Sequence, residues 1–317
     1  MSSFLKSSAV RDAALEALAR RLTLARTVWV NAGGDFTGAL NDTITVRVPA
    51  YTTANTRAMR SGASRTRRGL FESSVPVTLD TNLYRDVPLT DEEQTLDIMN
   101  FARQIMNPML TGIARGIEDT LVADAIMDAS YEWEVTIDPS RPYGAIVQAS
   151  KHLDDSNVPP DDRFLVVGSS VKAALQESPQ FARADQSGTT QTLRQGVIGD
   201  VAGFEVLASP AIPPDEAYAY HRTAFVLATK APIVPRGAPA GFSAAQDGFA
   251  IRVVEVLDSQ TLENIVACDV FVGASPVTDY GFIGADGRFT PDESVNGSFH
   301  SRLFVRGVKL TLDAGSS

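Results

Sequence analysis

Apolar residues recur along this chain with two different periods, and the switches between them divide it. Val10, Leu15, Leu18 and Leu22 fall at near-helical spacing, which predicts a short amphipathic helix over residues 9–24. Strict alternation follows, with Ile44, Val46 and Val48 on one face of a strand at 42–49. A second alternating run at 74–80 brings the chain back, so the residues between form an extended loop or long hairpin with its ends held together. From residue 90 to 129 the period is helical, with Leu96, Met99, Met106, Leu110, Ile113, Ile117 and Leu121 on one side. Thr90, Asp91, Glu92 and Glu93 form a capping box: the threonine hydroxyl accepts from the Glu93 amide while Glu93 reaches back. Its acids also suit the positive end of the helix dipole. Pro108 should bend this helix, because it lacks an amide donor and crowds the preceding turn. Such a helix would span roughly 55–60 Å, which predicts an elongated subunit; Gly112 and Gly116 break the heptad that a coiled coil would need.

Beyond Tyr131 helices and strands alternate. Helices are expected at 143–153 and 170–176, and strands at 164–167, 204–208, 223–228, 249–257, 265–272 and 303–312. Asn157, Val158, Pro159 and Pro160 end the first of these helices. Proline- and glycine-bearing connections are expected at 212–214 and 232–241, and the polar stretch 278–298 reads as a loop. No internal repeat is visible.

Charge changes the picture most between Thr43 and Phe71. That stretch carries Arg47, Arg57, Arg60, Arg65, Arg67 and Arg68 and no acidic residue, in a chain of net charge −10. Residues 50–69 are also poor in large apolar side chains, so the loop has little to bury and reaches toward something else. Its paucity of interleaved aromatics and the acidic remainder of the chain argue against nucleic acid and for an acidic protein partner. The 23 arginines against five lysines point the same way, since arginine is favoured at interfaces.

The 317 residues allow about two domains. No apolar run approaches the ~20 residues needed to cross a bilayer, and the N-terminus has no signal-peptide core. The one cysteine, Cys268, excludes an internal disulfide, fits a reducing cytoplasm and sits in an apolar run as a core residue. His152, His221 and His300 lack metal-ligand spacing, and no nucleophile elbow, phosphate loop or dinucleotide turn is present. Asp154–Asp155 and Asp161–Asp162 read as caps and solvated turns. An enzyme, a cofactor and a metal are therefore not expected.

The passage KHLDDSNVPPDDRFLVV (151–167) resembles the helix, proline turn, aspartate–arginine and strand succession of tailed-bacteriophage major capsid proteins. PQFARAD (179–185), LRQGVIGDVAGFEV (193–206) and SPAIP (209–213) follow in the order of that family's apical domain. DTITVRVP (42–49) and FVLATKAPIVP (225–235) are similar to two further stretches of it. The resemblance implies an α+β fold with an N-terminal arm at 1–41 and an extended loop with flanking strands at 42–80. A spine helix of a peripheral domain would occupy 81–130, an apical domain 131–257, and return strands of the peripheral domain 258–317. It implies a virion protein, assembled in the host cytoplasm, that forms pentamers and hexamers of an icosahedral capsid around double-stranded DNA without sequence-specific contact and without a membrane. Arm and loop fill the residues before the spine helix, so scaffolding is expected from a separate protein; a portal and a decoration protein are the other expected partners. No lysine lies between Lys6 and Lys151, so a lysine isopeptide cross-link from the loop is not available and the contacts should be non-covalent. Arg57, Arg60, Arg65, Arg67 and Arg68 are expected to dock on an adjacent subunit at Asp91, Glu92 and Glu93. An encapsulin-like cargo shell, or a nucleic-acid- or phosphate-binding enzyme using the arginine loop, are the alternatives.

Overall fold

The computed structural model describes residues 14, 18, 22–32, 43–48, 56–62, 64–65, 73–89, 102–178, 199–238, 240–246, 248–258, 263–283, 289–291 and 303–313. After a 3-10 turn at Leu24–Thr27 come strands β1 (Trp29–Ala32), β2 (Thr43–Val48), β3 (Ser73–Thr78) and β4 (Thr81–Leu89). Helix α1 (Asn107–Leu121) is preceded and followed by wider, π-type turns at Ala102–Met106 and Val122–Met127. Next are β5 (Trp133–Ile137), α2 (Pro142–Asp155), β6 (Arg163–Val167), α3 (Ser169–Glu177), β7 (Asp200–Val201), β8 (Phe204–Ala208) and β9 (Glu216–His221). The chain ends with β10 (Phe225–Lys230), β11 (Ala240–Gln246), β12 (Phe249–Leu257), β13 (Asn264–Pro276), β14 (Thr278–Ile283), β15 (Phe289–Pro291), β16 (Leu303–Val305) and β17 (Gly307–Leu312).

Two compact units share these elements: residues 1–44, 77–128 and 225–276 form one, and 45–76, 129–224 and 277–317 the other. In the first, a sheet runs β1-β10-β13-β12-β11, with β4 along the other side of β13. Helix α1 buries Met109, Leu110, Ile113, Ala114, Ile117 and Leu121 on one stripe. It packs on β13 and β4, whose Val266, Cys268, Val270 and Val272 are buried. Gly116 lets it approach closely: a methyl there would stand 3.1 Å from Leu83 Cδ1. In the second unit a sheet runs β5-β17-β9-β6-β8-β7. Ala145, Ile146, Ala149 and Leu153 of α2 share one core with Leu165, Val167, Phe204, Ala217, Val308 and Leu310. A small sheet of β15-β14-β16 belongs to the same unit, and β2 pairs with β3 alone.

Several expectations are corrected. Residues 81–89, counted with the spine helix, are strand β4; the Leu83–Val87 spacing serves a strand face as well as a helix face, and pairing with β13 decides it. The stretch 278–298 contains β14 and β15 rather than loop alone. The strand expected at 303–312 is two strands divided at Arg306. The division at 257/258 also differs: β10–β13 share a sheet with β1 and β4, whereas β17 from the far end of the chain lies between β5 and β9. Such pairings are non-local, and local patterns do not encode them. Of the helix read at 9–24, Ala14 and Leu18 are described as helical and buried, but it does not reach residue 24: Leu22 and Thr23 are outside any helix and Leu24 opens the 3-10 turn.

Candidate functional site

The arginine loop is rooted in β2 and β3, whose alternating apolar residues give the pairing, with Val46, Val75 and Val77 buried. Thr43 and Thr78 tie the two limbs with a hydroxyl–hydroxyl bond of 2.9 Å, as the bracketing strands led one to expect. Further out, residues 59–60 make a turn in which the Ser61 amide donates to the Ala58 carbonyl at 3.3 Å. Arg60 holds φ +62° there, a left-handed conformation that costs a non-glycine residue roughly 1–2 kcal/mol. Arg57, Arg60 and Arg65 are all exposed, and Met59 between the first two is 94% exposed. Arg67, Arg68, Asp91, Glu92 and Glu93 lie outside the described residues.

Glu118 of α1 reaches back to the 3-10 turn, where its Oε1 accepts from the amides of Thr23 (2.7 Å) and Leu24 (2.8 Å). Those are unpaired N-terminal donors of that turn, so the carboxylate caps it and fastens the N-terminal segment to the helix. Pro108 stands in the first turn of α1, immediately after the π-type turn. Its missing amide donor falls where the hydrogen-bond register changes.

In the second unit, the motif residues acquire physical roles. Arg163 is 5% exposed and clamps the proline turn: Nε donates to the Pro159 carbonyl (2.8 Å), and Nη2 donates to the Val158 carbonyl (2.6 Å) and to Asp154 (2.8 Å). Gly199 and Gly203 sit at φ +69° and +85°, and Ala202 at +49°, which shapes the tight β7–β8 hairpin. The carbonyl of Pro214 accepts from the Ser170 and Val171 amides (3.0 and 3.3 Å) and so caps α3 with backbone. Gly168 makes room for it, since a methyl there would lie 2.6 Å from the Pro214 oxygen.

His221, 8% exposed, accepts at Nδ1 from the Thr223 amide (3.2 Å) and is bonded to the Thr223 hydroxyl (2.8 Å). That hydroxyl accepts from Arg306 Nη1 (2.8 Å), and Arg306 makes a bidentate pair with Asp279. Burial, followed by the nearby Arg306 charge, holds the His221 pKa below its ordinary value. The unfolded chain therefore takes up this proton first, near pH 6.5. Stability contributed by neutral His221 is complete above that pH and falls as the pH drops toward the folded-state pKa. Thermal melts of free subunits between pH 7.5 and 5 should show this loss, and the His221→Gln variant should show a shallower one. An equal slope in both would refute the assignment.

Among the described residues, chemistry of the catalytic kind is not assembled. Burial pushes the Cys268 thiol up to about 12, the opposite of nucleophile activation. His152 stacks on Trp133 with ring centroids 5.6 Å apart. Among the described residues no three His, Cys, Asp or Glu side chains gather as a metal would need, and no helix is long and apolar enough to cross a membrane. An open hollow of ≈ 330 Å³ is lined by Thr136, Asp138, Arg141, Tyr143, Gly144, Ala145 and Gln148, with Asp138 already engaged by the Ser140 amide and hydroxyl.

Comparison with known proteins agrees with a scaffold of this kind. No curated protein matches the chain. Among solved structures, one from Mycobacterium phage Che8 is 16% identical with a TM-score of 0.56, covering 91% of this chain and 90% of that one. The capsid of Helicobacter pylori bacteriophage KHP30 gives 9% identity and a TM-score of 0.57 over 90% and 86%. The capsid of a native GTA particle gives 11% and 0.56 over 93% and 91%. At such identities the likeness shows the fold, the α+β fold of tailed-phage capsids. The model of the phage capsid protein family matches residues 72–276, well over half of the chain. The chain belongs to the phage capsid protein family, as a structural component of the virion's capsid rather than an enzyme.

Proposed function

We propose that the chain forms the pentamers and hexamers of a shell around double-stranded DNA, and that the arginine loop is an electrostatic clasp between neighbouring copies. The observation that carries this reading is the exposure of Arg57, Arg60 and Arg65 on a loop without acids, in a chain of net charge −10. In this reading residues 1–41 are an arm, 42–80 the extended loop, and α1 the spine of a peripheral domain, with Pro108 bending it. The sheet of β5–β9 and β17 belongs to the apical domain. Asp91, Glu92 and Glu93 of an adjacent subunit remain the acceptors for Arg57, Arg60, Arg65, Arg67 and Arg68. The absence of lysine between Lys6 and Lys151 supports purely non-covalent closure of the loop contact. A scaffolding protein, a portal and a decoration protein are the further partners that such a role calls for. The phage family supports a head that holds DNA over a compartment that holds a cargo enzyme.

Replacing Arg65, Arg67 and Arg68 together by glutamate should abolish particles in electron micrographs while the circular dichroism and melting temperature of the subunit stay near wild type. Particles of normal number and form would overturn the clasp. Each exposed pair contributes only about 0–1 kcal/mol, so the effect arises by repetition around the shell. Salt should act in the same direction, because the screening length falls from about 10 Å at 0.1 M to 3 Å at 1 M.

A further inference from the structure

The sheet of the first unit has two faces, and only one is covered by α1. Leu83 pairs with Val270 and lies under Gly116 of α1, so the buried Val266, Cys268, Val270 and Val272 share the helix-facing side. On the opposite side one row runs Tyr84, Asp269, Arg252, Ser243 across four strands, with Asn82 and Phe271 paired in the next row. Tyr84 is 68% exposed and Phe271 36%. In the middle of the row the Arg252 guanidinium grips Asp269 with Nε (2.8 Å) and Nη2. Its third nitrogen, Nη1, donates to the carbonyl of Ile233 at 2.6 Å. That bond lays the 231–238 connection over this face, with Pro232 buried and the Val234 side chain set against Gly241. The isoleucine held there is 88% exposed.

We propose that this outward face, with Ile233 and Tyr84 as its anchors, is an interface with a second copy of this chain. It rests on the shell reading above but concerns a different surface from the arginine loop. An exposed isoleucine at the end of a slack loop would signify little. Here the residue is β-branched, flanked by Pro232 and Pro235, and fixed through its backbone by a partly buried ion pair, so docking it costs little conformational entropy. A pinned aliphatic side chain and a neighbouring tyrosine have the make-up of an interface centre. Arg252 and Asp269 neutralise each other beneath it and act as positioning residues for the loop. The rim carries both signs, with exposed Arg236 of the 231–238 connection against exposed Asp86 of β4. Two copies of the chain can match unlike charges across such a rim, whereas DNA would be repelled by Asp86 and gains nothing from Ile233.

The test uses the full chain as free subunits and as shells. Wild type is a nearly blank background for maleimide, because its one cysteine, Cys268, is fully buried. The Ile233→Cys variant should label at least tenfold more slowly in shells than as free subunits, and the Tyr84→Cys variant should behave likewise. Equal rates in both states for both variants overturn the proposal. Protection confined to DNA-filled shells and lost in empty ones also overturns it, in favour of nucleic acid. A variant that keeps the wild-type melting temperature but no longer assembles supports it. If wild type itself forms no shells, the shell reading fails, and that result is distinct from a shell in which position 233 stays open to reagent.

Discussion

Replacing Arg163 by alanine should cost the subunit about 3 kcal/mol of stability. The guanidinium is 5% exposed and donates to two backbone carbonyls, Val158 and Pro159, in a turn where proline removes the local amide donors that could substitute for it. Truncation leaves the buried Val158 acceptor dry, at about 1–3 kcal/mol, exchanges the bond to exposed Pro159 for one to water, and removes the long side chain that fills the turn. The Asp154 carboxylate contributes little, since its side chain is 63% exposed, and Asp154→Asn should lie within about 1 kcal/mol of wild type. Denaturant unfolding of free subunits separates the two variants. A cost below about 1 kcal/mol for Arg163→Ala would show that the clamp is not what holds the proline turn. The expected consequence reaches beyond the turn, because β6 begins at Arg163 and is paired on both sides, parallel to β8 and antiparallel to β9.

Arg163 also marks how far the sequence could be read. The helix, the proline break and the strand around it were legible because an apolar run bounded by breakers has few alternatives, and α2, β6 and α3 fall within one or two residues of the expected spans. The hairpin strands at 43–48 and 73–78 were legible for the same reason, through strict alternation. The role of Arg163 was not, since nothing local says that its nitrogens turn back onto residues 158 and 159. Strands β5 and β9 escaped notice because each takes its identity from a partner far along the chain, and β11, which pairs with the adjacent β12, because its glycine, serine and alanines carry little strand signal. Glu216 and Tyr218 of β9, for example, look polar until Lys309 of β17 is placed beside them, its ammonium 2.9 Å from Glu216. At the candidate site the exposed arginines of the loop were visible as a charge pattern. Glu118, Arg252 and the pinned Ile233 were not, because each acts across some 19 to 95 positions of sequence.

Two glycines of the first unit should respond to alanine with opposite signs. Gly112 lies exposed in the middle of α1 with open space around it. There alanine only removes backbone freedom from the unfolded chain and should stabilise the subunit by about 0.5–1 kcal/mol. Gly273 lies in β13 directly beneath the corner that joins β3 to β4. A methyl group there would be driven into the Thr78 carbonyl oxygen, with the carbonyl carbon 2.8 Å and Leu79 Cα 3.3 Å away. These are backbone atoms, so no side chain can swing aside, and the corner itself must move. We expect Gly273→Ala to cost about 3 kcal/mol or more, at the upper end for overpacking. Thr78 ends the returning limb of the arginine loop and is bonded to Thr43 of the outgoing limb, so the displacement falls at the root of that loop. Subunits that survive the substitution should therefore assemble poorly even at temperatures where they remain folded. Unfolding curves for both variants, with particle yields measured well below each melting temperature, test the pair. Wild-type stability and normal yield in Gly273→Ala would show that the corner is free to shift, and that the root of the loop is not fixed at this crossing.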